Sequence, residues 1–414
     1  MRKILIVGAG QSGLHLAHGL LTNGYDVTLV TSQTSIEIRT GRPSISQLTM
    51  PTVLEYEREL HLDFWSAIAP HMDRFKVHLY PPQAPAMSLQ GEVDGYMLSV
   101  DRRVKMADWL EYFEDRGGKV IIHGVTLTDL DYFSRMFDLI VVAVGGGELG
   151  ALFDQDRSRP HGARRRMVAQ SHVFDVAPDP DAGDQVGWVA STAEAGNILL
   201  LPVLTADGPC HSLMILDDVG GPMDSWQDKP TPEEQLRRMK ELLRKHTPEY
   251  YERCANAELA DEHRLIEEIR LQVRNPVGVL PSGGLVLGIA DVVVTSDPFS
   301  GQSWNNSTRC AKSYLESITA HGDRPFDRAF LTATFERFWE YGRIAEQWSH
   351  TISTMWDQAL PPHLEAVIGA AMKYPEVADR WVQGWDYPPD YQKWLLDPEL
   401  AHEYLAEIAA TRNQ

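Results

Sequence analysis

Three glycines near the start of the chain, in the run Gly8-Ala9-Gly10-Gln11-Ser12-Gly13, have the spacing that holds a pyrophosphate. Gly8 permits a tight turn, Gly10 lets the backbone approach the phosphates, and Gly13 lets the following helix pack close on the preceding strand. The helix N-terminus, with Ser12 in its first turn, would then offer N–H groups and the positive end of its dipole to the phosphates. The acidic residue that usually holds the ribose about 20 residues on is absent. Thr31 and Ser32 stand there, so a hydroxyl such as that of Thr31 is the expected contact. A second run, Gly145-x-Gly147-x-x-Gly150, repeats the spacing but lacks a following helix and strand with an acidic end. It reads as the end of a return strand touching the first nucleotide unit. The third cluster is Gly288-Ile289-Ala290-Asp291, followed by Asp297-Pro298-Phe299-Ser300-Gly301-Gln302-Ser303-Trp304-Asn305-Asn306.

These residues need elements to position them. Residues 3–7 read as a buried strand, 13–23 as a helix ended by Asn23-Gly24, and 27–31 as a second strand, a βαβ unit of about 30 residues. Further strands are expected at 138–144 and 284–288, and a helix at 302–320. The stretch 165–220 alternates apolar and polar residues, as strands of a mixed sheet do. Thr231-Pro232-Glu233-Glu234 reads as a capping box opening a helix to about His246. Between Phe326 and Leu360 there is no proline, and Phe335, Trp339, Ile344, Trp348, Ile352 and Trp356 recur at roughly helical spacing. One long helix with a core-facing stripe is expected, ended by Pro361-Pro362. The remainder is Trp-rich and helical.

The chain has 414 residues, enough for two or three domains, and 43% apolar residues. Its net charge of −20 disfavours nucleic acid and anionic membrane surfaces as partners. No apolar run approaches the roughly 20 residues that span a bilayer. The three cysteines, Cys210, Cys254 and Cys310, have no metal-binding spacing and read as buried thiols of a reducing compartment. A cytoplasmic location and no metal are expected.

The third cluster resembles the flavin-contact signature of hydroxylases related to p-hydroxybenzoate hydroxylase. Within that superfamily the chain is most similar to the styrene and indole monooxygenases. The likeness also includes Asp101-x-Arg103 and the Gly-Pro-Cys stretch at 208–210, and runs from Gly8 to about Ser313. It implies an α/β (α+β) fold: a Rossmann-like FAD-binding domain from residues 1–50, 95–150 and 275–320, a mixed β-sheet substrate domain from 51–94 and 151–274, and a helical C-terminal region, 321–414. It implies FAD contacts from Gly8, Gly10, Ser12, Gly13, Thr31, Arg103, Asp291, Pro298, Gly301 and Gln302. A helix N-terminus at Gly301-Gln302 would stabilise negative charge on reduced flavin. Styrene-active members carry an Asn and a His beside the flavin. Ser46 and Met50 match those positions and look more like the indole-oxidising branch, whereas Leu48 departs from the polar residue of that branch. Ser46, Leu48 and Met50 are the expected substrate pocket.

The activity so implied is that of the oxygenase subunit of a two-component monooxygenase. A separate NADH-dependent flavin reductase would supply reduced FAD. With O2 this would form a C4a-hydroperoxyflavin that epoxidises an electron-rich C=C of a small aromatic such as indole or styrene. A homodimer is implied by the same likeness. Asn305, Asn306 and Ser46 are the candidate polar contacts near the reacting oxygen. One alternative is a single-component NAD(P)H-dependent aromatic hydroxylase. A halogenase would want Gly-Trp-x-Trp-x-Ile-Pro, of which Gly384-Trp385-Asp386-Tyr387-Pro388, far along the chain from the flavin motifs, is a partial echo. A non-catalytic flavin binder is the third alternative.

Overall fold

In the computed structural model, residues 1–159, 164–183 and 185–412 are described. The parts of the expected domains at 160–163, 184 and 413–414 lie outside them. The mixed α/β architecture expected from the sequence is present as two sheets with helices around them.

The first sheet orders its six strands Val277–Val279, Leu285–Gly288, Leu139–Val142, Lys3–Val7, Asp26–Thr31 and Lys119–Ile122. All neighbours run parallel except the edge pair Val277–Val279 with Leu285–Gly288. Ile4, Leu5 and Ile6 are buried completely, as a central parallel strand covered on both faces requires. The helix Gln11–Thr22 follows the first strand. The stretch Gly145–Gly150 gives only a four-residue helix after the strand Leu139–Val142, which lies beside Lys3–Val7.

The second sheet has eight strands, including Arg165–Phe174, Val186–Thr192, Asn197–Thr205, Gly208–Asp218, His71–Tyr80 and Met87–Leu98. It is antiparallel but for the pair His71–Tyr80 with Val186–Thr192, so it is mixed. One face packs on Met239, Leu243 and Tyr250 of the helices Pro232–His246 and Pro248–Cys254. The other packs on the C-terminal helices through Trp381, Trp385 and Trp394. Thr231 caps its helix by accepting from the Glu234 N–H, but the return half of the box is not made. The Glu234 carboxylate is taken by Arg237 and Arg238 instead.

The long helix is Arg328–Ser353. Its stripe is core-facing, as expected, and serves two cores. Leu331, Phe335 and Phe338 join the core of the first sheet, and Trp348 and Ile352 that of the second. It ends before the expected Leu360, and Pro361-Pro362 opens the next helix, Pro362–Ala371, rather than closing this one. Proline suits the first helical position because its missing N–H would be unpaired there. The three cysteines are buried and unpaired. Among the described residues no helix is long and apolar enough to cross a membrane.

Two packing features yield predictions. Gly91 lies against the helix Pro375–Asp386 so closely that a Cβ would stand 2.3 Å from the Ala378 carbonyl oxygen. Gly91→Ala should therefore separate that helix from the sheet and cost roughly 1–3 kcal/mol, read as a lower urea midpoint. Glu346, on the long helix, is 7% exposed. Burial lifts its carboxyl to about 7, against a hydrogen bond from Ser296, and the nearby Asp297 and Asp291 push the same way. A folded-state value raised above the unfolded one gives stability that is present at low pH and lost as pH rises through about 7. Glu346→Gln should remove that loss, so between pH 5 and 8 the wild type should weaken by roughly 2 kcal/mol more than the variant in urea titrations.

Candidate functional site

The loop after the first strand is shaped by steric necessity. Gly8 has φ +115°, and a Cβ on Gly13 would stand 2.1 Å from the Gly8 carbonyl oxygen. Only glycine lets the helix start this close to the strand, and its first N–H groups therefore face a cleft of about 570 Å³. Gly8, Gly10 and Thr31 line this cleft, with Ser32, Gln33, Arg42 and His123. Ser12 is buried beneath the loop. Backbone N–H groups, hydroxyls and arginines converging on an open groove suit a pyrophosphate and its sugar.

Asp101 is the N-cap of the helix Arg102–Asp115 and accepts from the Arg103 N–H at 2.8 Å. The Arg103 side chain folds back onto Asp101 and Asp261, so its charge is engaged by two carboxylates at the edge of the cleft. The neighbouring Arg102, unnoticed in the sequence, points the other way. Its terminal nitrogen lies 3.8 Å from where a Gly10 Cβ would be. Residues one apart on a helix face apart, and the cap claims the second of the two arginines.

Arg102, Ser44 and Gly146 also line a second cavity of about 450 Å³, which adjoins the first through these shared residues. One wall is apolar, from Leu48, Phe75, Leu199, Leu201, Met214, Phe299 and Trp385. Asp291 and Glu267 open onto the other side. Burial lifts the carboxyl of Asp291 to about 6 and raises that of Glu267, while Arg102 pulls both down. Pro298 and Gly301 form the rim. Gly301 has φ +66° and immediately precedes the helix Gln302–His321, so the turn delivers a helix N-terminus beside the cavity.

Several expected contacts are placed otherwise. Asn305 does not line the cavity. Its amide donates to the carbonyls of Leu48 (2.9 Å) and Gly301 (2.7 Å) and accepts from the Met50 N–H (3.0 Å). Asn306 is buried one residue on and also stays off the lining, with Ser296 Oγ 3.4 Å from its amide nitrogen. The Gln302 side chain donates to the Trp385 carbonyl at 2.9 Å and is wholly buried. Met50 precedes Pro51 as the cap of the helix Pro51–Glu59, with its side chain in the core instead of on the lining. A helix that begins at the cavity rim turns these side chains into its own packing. Ser46 and Leu48 do line the cavity. Trp385, distant in sequence from the flavin-type motifs, is brought to its wall by the C-terminal helices.

Gln170 and His172 were also unnoticed. They lie two apart on the strand Arg165–Phe174, hence on one face. Gln170 accepts from the Ser46 N–H at 2.6 Å, and His172 Nε2 is 3.2 Å from Ser46 Oγ. A polar pair two apart in an otherwise buried strand was the available signal.

Residues 145–253 match the family model for the putative substrate-binding domain of styrene monooxygenase A. Over 99% of its length the chain is 26% identical to a styrene monooxygenase of Pseudomonas fluorescens, covering 99% of that protein. Among solved structures, a flavin-dependent brominase superposes with TM-score 0.68 at 14% identity, covering 99% of each chain. The p-nitrophenol 4-monooxygenase of Pseudomonas putida does so with TM-score 0.64 at 13% identity, over 94% of this chain and 99% of that one. The fold, the two adjoining cavities and the full-length likeness agree: the chain is a flavin-dependent monooxygenase similar to the styrene monooxygenases.

Proposed function

We propose that the protein is the oxygenase component of a two-component system that takes reduced FAD from a separate NADH-dependent reductase and epoxidises an electron-rich C=C of a small aromatic such as indole or styrene. The observation that carries this is the adjacency of the two cavities: a glycine-loop cleft suited to a dinucleotide shares Arg102, Ser44 and Gly146 with a chamber that has one apolar wall and a rim at Pro298 and Gly301. The residues present fit FAD. Gly8, Gly10 and Gly13 shape a cradle that a side chain would fill. Arg102 offers a cation beside it, and Thr31 and Ser32 face the sugar end.

Reduced FAD supplies the two electrons that let O2 transfer one oxygen atom to the substrate and release the other as water. The chain's own part is to position and to exclude water. Phe75, Leu199, Leu201, Met214, Phe299 and Trp385 hold a flat apolar ring out of solvent. The helix N-terminus after Gly301 places positive partial charge beside the cavity, where it steadies an anionic ring edge. Pro298 shapes the rim without presenting an N–H. A separate reductase accords with Gly145 and Gly146 lining the chamber instead of opening a second βαβ unit. Three buried free thiols accord with the cytoplasm. Trp385 on the chamber wall gives the halogenase reading one observation, which bromide-dependent halogenation of indole would test.

With FAD, NADH and a generic flavin reductase, indole should give indigoid pigment and styrene its oxide, each requiring both proteins. Rapid bleaching of bound FAD by NADPH without a reductase would show a single-component enzyme instead. Gly13→Val should abolish FAD binding in equilibrium titration. Arg102→Ala should weaken it about tenfold, or about 1.4 kcal/mol.

A further inference from the structure

Ser46 is a polar residue of a chamber that has one apolar wall, and its hydroxyl has a defined partner. The Ser46 backbone N–H, which can only donate, is bound by Gln170 Oε1 at 2.6 Å. That bond orients the Gln170 amide. Its amino group is left facing the Ser44 carbonyl at 3.3 Å and His172 Nε2 at 3.4 Å. An amino group has no lone pair to offer, so His172 Nε2 must be the accepting nitrogen and the ring proton sits on Nδ1. The surroundings of Nδ1 agree. It lies 3.8 Å from carboxylate oxygens of both Asp101 and Asp261. Burial would raise the Asp261 carboxyl, but His172, Arg103 and the His263 N–H outweigh it and hold the group ionised, well below the ordinary range. His172 itself is 3% exposed.

With Nε2 accepting, the Ser46 hydroxyl at 3.2 Å donates its proton to the ring and keeps its lone pairs for the chamber. We infer that His172, oriented by Gln170 and by Asp101 and Asp261, is a positioning residue that sets Ser46 as a hydrogen-bond acceptor for a substrate donor, so that the chamber selects an aromatic alkene bearing a ring N–H over a hydrocarbon of the same shape. This rests on the reading of the chamber as the substrate site. The physical basis is the cost of leaving a buried polar group unpaired: a hydrocarbon ring would cover the Ser46 lone pairs without satisfying them.

Indole, indene and benzofuran share one outline and differ in N–H, CH2 or O at one ring position. Their equilibrium affinities for the flavin-free and the flavin-loaded protein, read by calorimetry, and KM and kcat with a reductase present, test the inference. The wild type should prefer indole over both others by about tenfold in affinity and in KM. Ser46→Ala and His172→Ala should each bring the preference to within about twofold. His172→Gln, which offers an amide oxygen near the Nε2 position, should restore a substantial part of it. The inference is overturned if the wild type does not discriminate, or if His172→Ala weakens indole and indene alike. It is equally overturned if Ser46→Ala keeps the preference, a result that stands even should the His172 variants not fold. If indole is preferred in binding through Ser46 and His172 but no ring is oxygenated, the inference holds and the proposed reaction fails. If rings are oxygenated without preference, the reverse is true.

Discussion

One side-chain amide holds the site together. Asn305 bonds the Leu48 carbonyl, the Met50 N–H and the Gly301 carbonyl at once. It ties the loop bearing Ser46 and Leu48 to the turn that begins the helix Gln302–His321. The loop has few regular backbone bonds of its own, and buried polar groups left unpaired are costly, so the position of the chamber's polar edge depends on this clamp. Thr49 extends the connection, pairing with Leu98 at the end of the second sheet while its hydroxyl accepts from Trp304. A residue of the type that often contacts a reacting group is here consumed in building the wall.

The charges around the cavities are arranged in layers. Arg102 stands between cleft and chamber, opposed by Asp291 and Glu267. Arg103 is drawn away to Asp101 and Asp261, and the same two carboxylates reach His172. Two adjacent arginines thus do different work. One lines both cavities, and the other holds the electrostatic surroundings of a histidine behind the chamber. In a chain with a net charge of −20, the cations Arg42 and Arg102 gather at the cleft.

The C-terminal region is part of the site as well as an outer layer. The long helix carries one apolar stripe through both cores, so the two sheets share a rigid strut. Beyond it, Asp386 accepts from Thr52 and pairs with Arg309, and the Trp385 carbonyl accepts from Gln302. These bonds seat Trp385 on the chamber wall.

Much of this was legible in the chain because it rests on local rules. The glycine spacing, the strand–helix–strand unit, the helix after Gly301 and the stripe from Phe335 to Ile352 follow from backbone sterics and from periodicity within a few turns. The sequence by itself determined the nucleotide loop, the two kinds of sheet and the family to which the chain is similar. Only the tertiary structure decided which polar residues face the cavity. Asn305, Asn306 and Gln302 were taken into packing, Arg102 and not Arg103 came to line both cavities, and Gln170, His172 and Trp385 arrived from distant segments. A side chain's type says which bonds it can make. Which partner it meets depends on long-range packing, where a buried polar group takes whatever partner lies within about 3 Å.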